Sequence, residues 1–82
     1  MYVASYLCDV CHAAFDKPVK YERLEDVKLG RCHCGRILVP TVCDEDYQCL
    51  CEGYTAGKSR AAKSRAKAYL KAQLGIQKFT WE

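Results

Sequence analysis

Cys8-Asp9-Val10-Cys11, with Cys32-His33-Cys34 following after an arm of twenty residues, is the part of this sequence that decides its fold. Two close pairs of soft ligands about 15–20 residues apart is the spacing of a structural zinc site. The reason is geometric: a tight turn places two thiolates on one edge of a tetrahedron, and a hairpin brings back a second turn to supply the opposite edge. Cys8, Cys11, Cys32 and Cys34 are therefore assigned to one zinc ion. Outward from there the chain continues with Cys43 and Cys49-Leu50-Cys51, and His12 and His33 bring the soft ligands to nine. Two closed tetrahedra take eight, so a second zinc is expected on Cys43, Cys49, Cys51 and His33, which is nearer in sequence than His12. Two ions are expected, one at minimum. A single residue separates the cysteines in Cys32-His33-Cys34 and in Cys49-Leu50-Cys51, which restricts how both thiolates reach one ion. A bridging sulfur or an exchange of ligands between sites stays open. The plainer alternative makes Cys43, Cys49 and Cys51 small buried hydrophobes.

The chain has 82 residues, enough for one small core, and a core of that size usually needs a covalent or metal staple. Seven cysteines supply it. Their odd number, the absence of a leader-like start after Met1 and the absence of any membrane-length apolar run favour metal over secreted disulfides. The expected setting is reducing and cytoplasmic, with no membrane partner. Net charge is +3, but residues 1–54 carry six Lys/Arg against nine Asp/Glu, whereas residues 55–82 carry seven against Glu82 alone. That asymmetry predicts two parts, a zinc-binding module over 1–54 and a basic helical arm with a short tail over 55–82.

Local signals agree with a small metal-stabilised α+β fold. Residues 2–7 are β-rich and run into Cys8, and Asp16-Lys17-Pro18 signals a turn. Val19, Tyr21 and Arg23 alternate as in a half-buried strand, while residues 24–29 read equally as helical turn or strand. Ile37-Leu38-Val39 reads as a buried strand stopped by Pro40. Residues 41–53 have no clear period, and Asp44 suits the N-cap of a single helical turn. Residues 59–74 are the strongest helix, with Ser59 as N-cap and Gly75 as stop. In it Tyr69, Leu70 and Leu74 are expected to dock, and the alanine-rich start to be too small-faced for deep burial. Residues 76–81 form a short strand or a docking tail.

The pieces Tyr6-Leu7-Cys8-x2-Cys11 and Arg31-Cys32-His33-Cys34-Gly35-Arg36-Ile37-Leu38 resemble a zinc ribbon over residues 6–39. The second resembles the second knuckle of the small zinc-ribbon subunit of RNA polymerases. Phe15-Asp16-Lys17-Pro18 after the first knuckle is similar to small phage-encoded zinc-ribbon proteins. The resemblance implies a zinc-ribbon β-hairpin followed by a basic α-helix, in the setting of transcription regulation and of a virus-encoded protein in a host cell. The chain departs from the pattern at the second knuckle, one residue short, and beyond Pro40. Cys8-Asp9-Val10-Cys11-His12 also spells the attachment motif for c-type haem, but Met1 is the only methionine for a second axial ligand and five cysteines would be left over. No βαβ pattern supports a thioredoxin-like redox pair.

An enzyme is not expected. No nucleophile–base pair or carboxylate pair is legible, and closed four-ligand sites leave no open position for chemistry or for a small-molecule substrate. Arg60, Lys63, Lys67 and Lys71 fall on one helical stripe, with no acidic residue between 55 and 81 to pair with them. Such a stripe tracks phosphates. Two functions are expected from this pattern. The first is a zinc protein associated with nucleic acid or a nucleic-acid-bound complex through the basic helix. The second is a protein-interaction module acting on a polymerase or nuclease through its acidic loops.

Overall fold

Alternating apolar residues in short runs give short strands, and nine of them are found among the described residues. The computed structural model describes residues 1–14 and 18–81, and of Ala13 and Ala14 the backbone alone. Phe15, Asp16 and Lys17, with the turn expected there, lie outside the described residues. The strands are β1 (Tyr2–Ser5), β2 (Leu7–Cys8), β3 (Ala13–Ala14), β4 (Val19–Tyr21), β5 (Gly30–Arg31), β6 (Ile37–Val39), β7 (Thr41–Cys43), β8 (Cys49–Cys51) and β9 (Tyr54–Thr55). They form three antiparallel sheets, ordered β4-β1-β7-β8, β2-β3 and β5-β6-β9. A 3-10 turn occupies Leu24–Asp26, and one helix, α1, occupies Arg60–Leu74.

The helix begins and ends where its caps dictate. The Ala62 amide donates to Ser59 Oγ at 3.1 Å, and Gly75 closes the helix in the left-handed region at φ 69°. Its inner face is Ala62, Ala66 and Leu70, all buried. These pack in one cluster with Ala4, Val27, Ile37, Val39, Val42, Cys51 and Phe79, so the helix shares its core with the sheets. The deep burial of Ala62 and Ala66 departs from the expectation for the alanine-rich start. Small side chains let the backbone of α1 come close to β6 and β8, so the helix is buried along its length rather than at one end. The charge division at residues 54 and 55 likewise does not coincide with a break in packing, because it falls inside β9, which pairs with β6.

The C-terminal segment is a docking tail. Phe79 is buried, the Thr80 amide donates to Glu25 O at 3.1 Å, and Trp81 Nε1 donates to Val27 O at 2.6 Å. Leu70 sits at the junction of helix, sheets and tail, with its side chain fully buried. Leu70→Ala is expected to lower stability by about 2–5 kcal/mol in urea unfolding, through lost apolar burial and the cavity left behind. A loss below about 1 kcal/mol would show that the helix is peripheral to the core.

Residues 41–53 form a β-hairpin instead of a helical turn. Asp44 does cap, but it caps the hairpin loop: its Oδ1 accepts from the amides of Asp46 and Gln48, each at 2.9 Å. Gly53 is required where the chain leaves β8. A Cβ there would run into the Val39 carbonyl oxygen and come within 2.7 Å of the Thr41 nitrogen.

Candidate metal centre

Two turns, each ending in a left-handed residue, build the centre. The first carries Cys8 and Cys11 and ends at His12, φ 54°; the second carries Cys32 and Cys34 and ends at Gly35, φ 93°. The second is tied by the Gly35 amide donating to Cys32 O and the Cys32 amide donating to Arg36 O, both at 2.9 Å. The first is anchored to β9, where the Asp9 amide donates to Thr55 Oγ1 at 2.9 Å and the Thr55 hydroxyl donates to Leu7 O at 3.3 Å.

This arrangement brings the sulfurs of Cys8, Cys11, Cys32 and Cys34 within 4.8 Å of one another. Cys8 Sγ lies 3.8 Å from Cys34 Sγ, and Cys11 Sγ lies 3.1 Å from Cys32 Sγ. With metal–sulfur bonds of about 2.3 Å, a tetrahedral ion has sulfur–sulfur edges of about 3.8 Å. Four thiols at this spacing could hold one metal ion. Cys8 and Cys32 are buried and pack with Leu38, while Cys11 is exposed.

Backbone amides point at the sulfurs, as a thiolate site requires. The Cys11 amide, with that of Val10, holds Cys8 below the usual thiol range. The Arg36 amide and then its guanidinium pull Cys34 down to about 6. Cys32 receives the Cys34 amide, yet its neighbours Cys11 and Cys34, together with burial, push it up to about 12. Cys8 and Cys34 are thus drawn toward the thiolate form that a metal requires, and an ion bound here would displace the thiol protons that remain. Arg36 is a residue that sequence reasoning passed over. Its guanidinium bonds Cys34 and offsets the negative charge of a four-thiolate set.

The other expected ligands do not form a group of this kind among the described residues. His33 and His12 are exposed. On β8, Cys49 and Cys51 stand two residues apart, yet they pair with the adjacent residues Cys43 and Val42 of β7. That register shift, a β-bulge, turns Cys49 with Cys43 away from the core and Cys51 into it with Val42. The Cys51 thiol faces Pro40 O at 3.8 Å and Glu52 O at 3.7 Å, and burial pushes it up to about 11. Cys51 is therefore a buried thiol of the core. His12 serves the turn through its backbone: His12→Gly and His33→Ala are each expected to retain the full metal content, and loss of the ion in either would make that histidine a ligand.

Arg60, Lys63, Lys67 and Lys71 line one open depression on α1 together with Ser64 and Ala68. Lys63 also borders a hollow formed with Lys28, Arg31 and Trp81. Sequence reasoning had no signal for Lys28 and Arg31, which reach this surface through the pairing of β5 with β6. Lys67 Nζ sits 5.5 Å from the Trp81 ring centroid and Lys71 Nζ 6.0 Å from that of Phe79. Among the described residues, no helix is long and apolar enough to cross a membrane. No protein-family model, curated protein or solved structure matches the chain.

Proposed function

We propose that this chain is a non-enzymatic zinc-binding protein that associates with nucleic acid, or with a nucleic-acid-processing machine, through the basic face of α1. The observation that carries the reading is the continuous cationic surface formed by Arg60, Lys63, Lys67 and Lys71 and prolonged by Lys28 and Arg31. The ion's role is structural: with four protein thiolates it has no open position, and it supplies cross-linking of the two turns. A four-sulfur tetrahedron suits zinc or iron. Zinc is the proposed occupant, at one ion per chain in place of the two expected from ligand counting. Native mass spectrometry together with elemental analysis tests both points; a second ion, or a coloured iron–thiolate centre, would overturn them. Mobility shift on DNA and on RNA at low salt tests the nucleic-acid reading.

A second reading, a module that binds a basic protein surface, is favoured by the loop Asp44-Glu45-Asp46-Tyr47. Tyr47 there is 84% exposed and held in the left-handed region at φ 61°, an uncommon posture for a bulky side chain. Pull-down of a polymerase or nuclease without a mobility shift would favour it.

A further inference from the structure

We infer that Cys43 and Cys49 are a disulfide-forming dithiol, a covalent modification site separate from the metal centre. The two residues are direct Cα partners across β7 and β8. The Asp44 amide donates to Gln48 O at 3.1 Å, so Asp44 and Gln48 are the hydrogen-bonded pair and Cys43 and Cys49 the adjoining non-hydrogen-bonded one. In such pairs the side chains stand closest, with Cα atoms about 4.5 Å apart. That is within the roughly 4.4–6.8 Å over which a disulfide closes. The loop between them is already tight, since the Tyr47 amide also donates to Asp44 O at 3.0 Å. Closure therefore needs little backbone movement.

The third cysteine of the hairpin cannot compete, because the bulge turns the Cys51 thiol into the core against Pro40 O and Glu52 O. Cys49 is exposed and Cys43 half-buried. That difference assigns their order of reaction. The Cys49 thiolate attacks one sulfur of a low-molecular-weight disulfide such as oxidised glutathione and releases one glutathione thiolate. The Cys43 thiolate then attacks the Cys49 sulfur of the mixed disulfide and releases the second. Two electrons pass from the protein to the oxidant, and the two thiol protons end on the two released glutathiones. Burial above all, with Asp44 beside it, holds the Cys43 thiol above its usual range once Cys49 is capped, so the second step, which consumes the Cys43 thiolate, accelerates as pH rises.

The test treats the metal-loaded full chain with oxidised glutathione and reads intact mass, metal content and a non-reducing peptide map. The expected result is loss of two hydrogen atoms from the metal-bound species, with the linkage mapped to Cys43 and Cys49. Cys51→Ser leaves this unchanged. Cys43→Ser stops at a stable glutathione adduct on Cys49, and Cys49→Ser abolishes closure. The inference is overturned if the wild type accumulates only the mixed adduct, stays unmodified, links Cys51, or oxidises first at Cys8, Cys11, Cys32 and Cys34 with release of the ion. Retained metal in each variant shows that the chain is folded, so a lost linkage then reports the missing thiol and not a lost fold.

Discussion

Removing the ion with a chelator is expected to unfold the protein cooperatively. The cluster around the metal centre is small, formed by Cys8, Cys32 and Leu38 with Tyr6 and Cys34 packed against it, and it cannot hold its own strands. It is joined to the larger core through β6: Leu38 belongs to the metal side, while Ile37 and Val39 belong to the core that α1 covers. Loosening the two turns therefore frees both neighbours of β6. Structural zinc in small domains contributes on the order of 10–16 kcal/mol at neutral pH, which equals or exceeds the whole stability of a typical domain, about 5–15 kcal/mol. Circular dichroism should lose both strand and helix signal on chelation and regain it when zinc is returned. An ion bound there would displace thiol protons, so the stabilisation it supplies should be present at neutral pH and lost as pH falls. An unchanged spectrum after verified metal removal would mean that the core under α1 stands alone.

Charge reversal of Arg60, Lys63, Lys67 and Lys71 to glutamate is expected to abolish nucleic-acid binding while retaining the metal. If each residue contacts one phosphate of a duplex, the slope of log affinity against log salt should change by roughly 3–4. The structure alters one part of this expectation. Lys67 and Lys71 lie over the rings of Trp81 and Phe79, so reversing them also removes cation–π contacts of about 0.5–1 kcal/mol each and loosens the tail. The cleaner variant is Arg60→Glu with Lys63→Glu, both exposed in the wild type, which should change the slope by about 2 at undiminished stability. An unchanged slope in that double variant would remove the helix from the binding surface. Absence of any wild-type binding at low salt would leave the protein-interaction reading.

Much of this molecule follows from residues close together in the chain. The helix boundaries at Ser59 and Gly75 are local hydrogen-bonding events, so they are legible without tertiary knowledge. The gathering of Cys8, Cys11, Cys32 and Cys34 is legible for a similar reason, since each pair sits in one turn and the arm between them is long enough to reunite them. The described strands of that arm, however, pair with β2, β1 and β6 and not with one another as the expected hairpin would. The burial of Ile37, Leu38 and Val39 is announced by an uninterrupted apolar run. What only the tertiary structure decided depends on distant segments meeting. Ligand counting treated Cys49 and Cys51 alike, and a one-residue bulge against β7 sent one outward and the other into the core. Ala62 and Ala66 look too small to matter as isolated side chains, yet close approach to β6 and β8 makes them the seam of the molecule. Lys28 and Arg31 join the basic face because β5 is paired beside the strand that α1 covers, a relation fixed by packing and invisible to any local pattern.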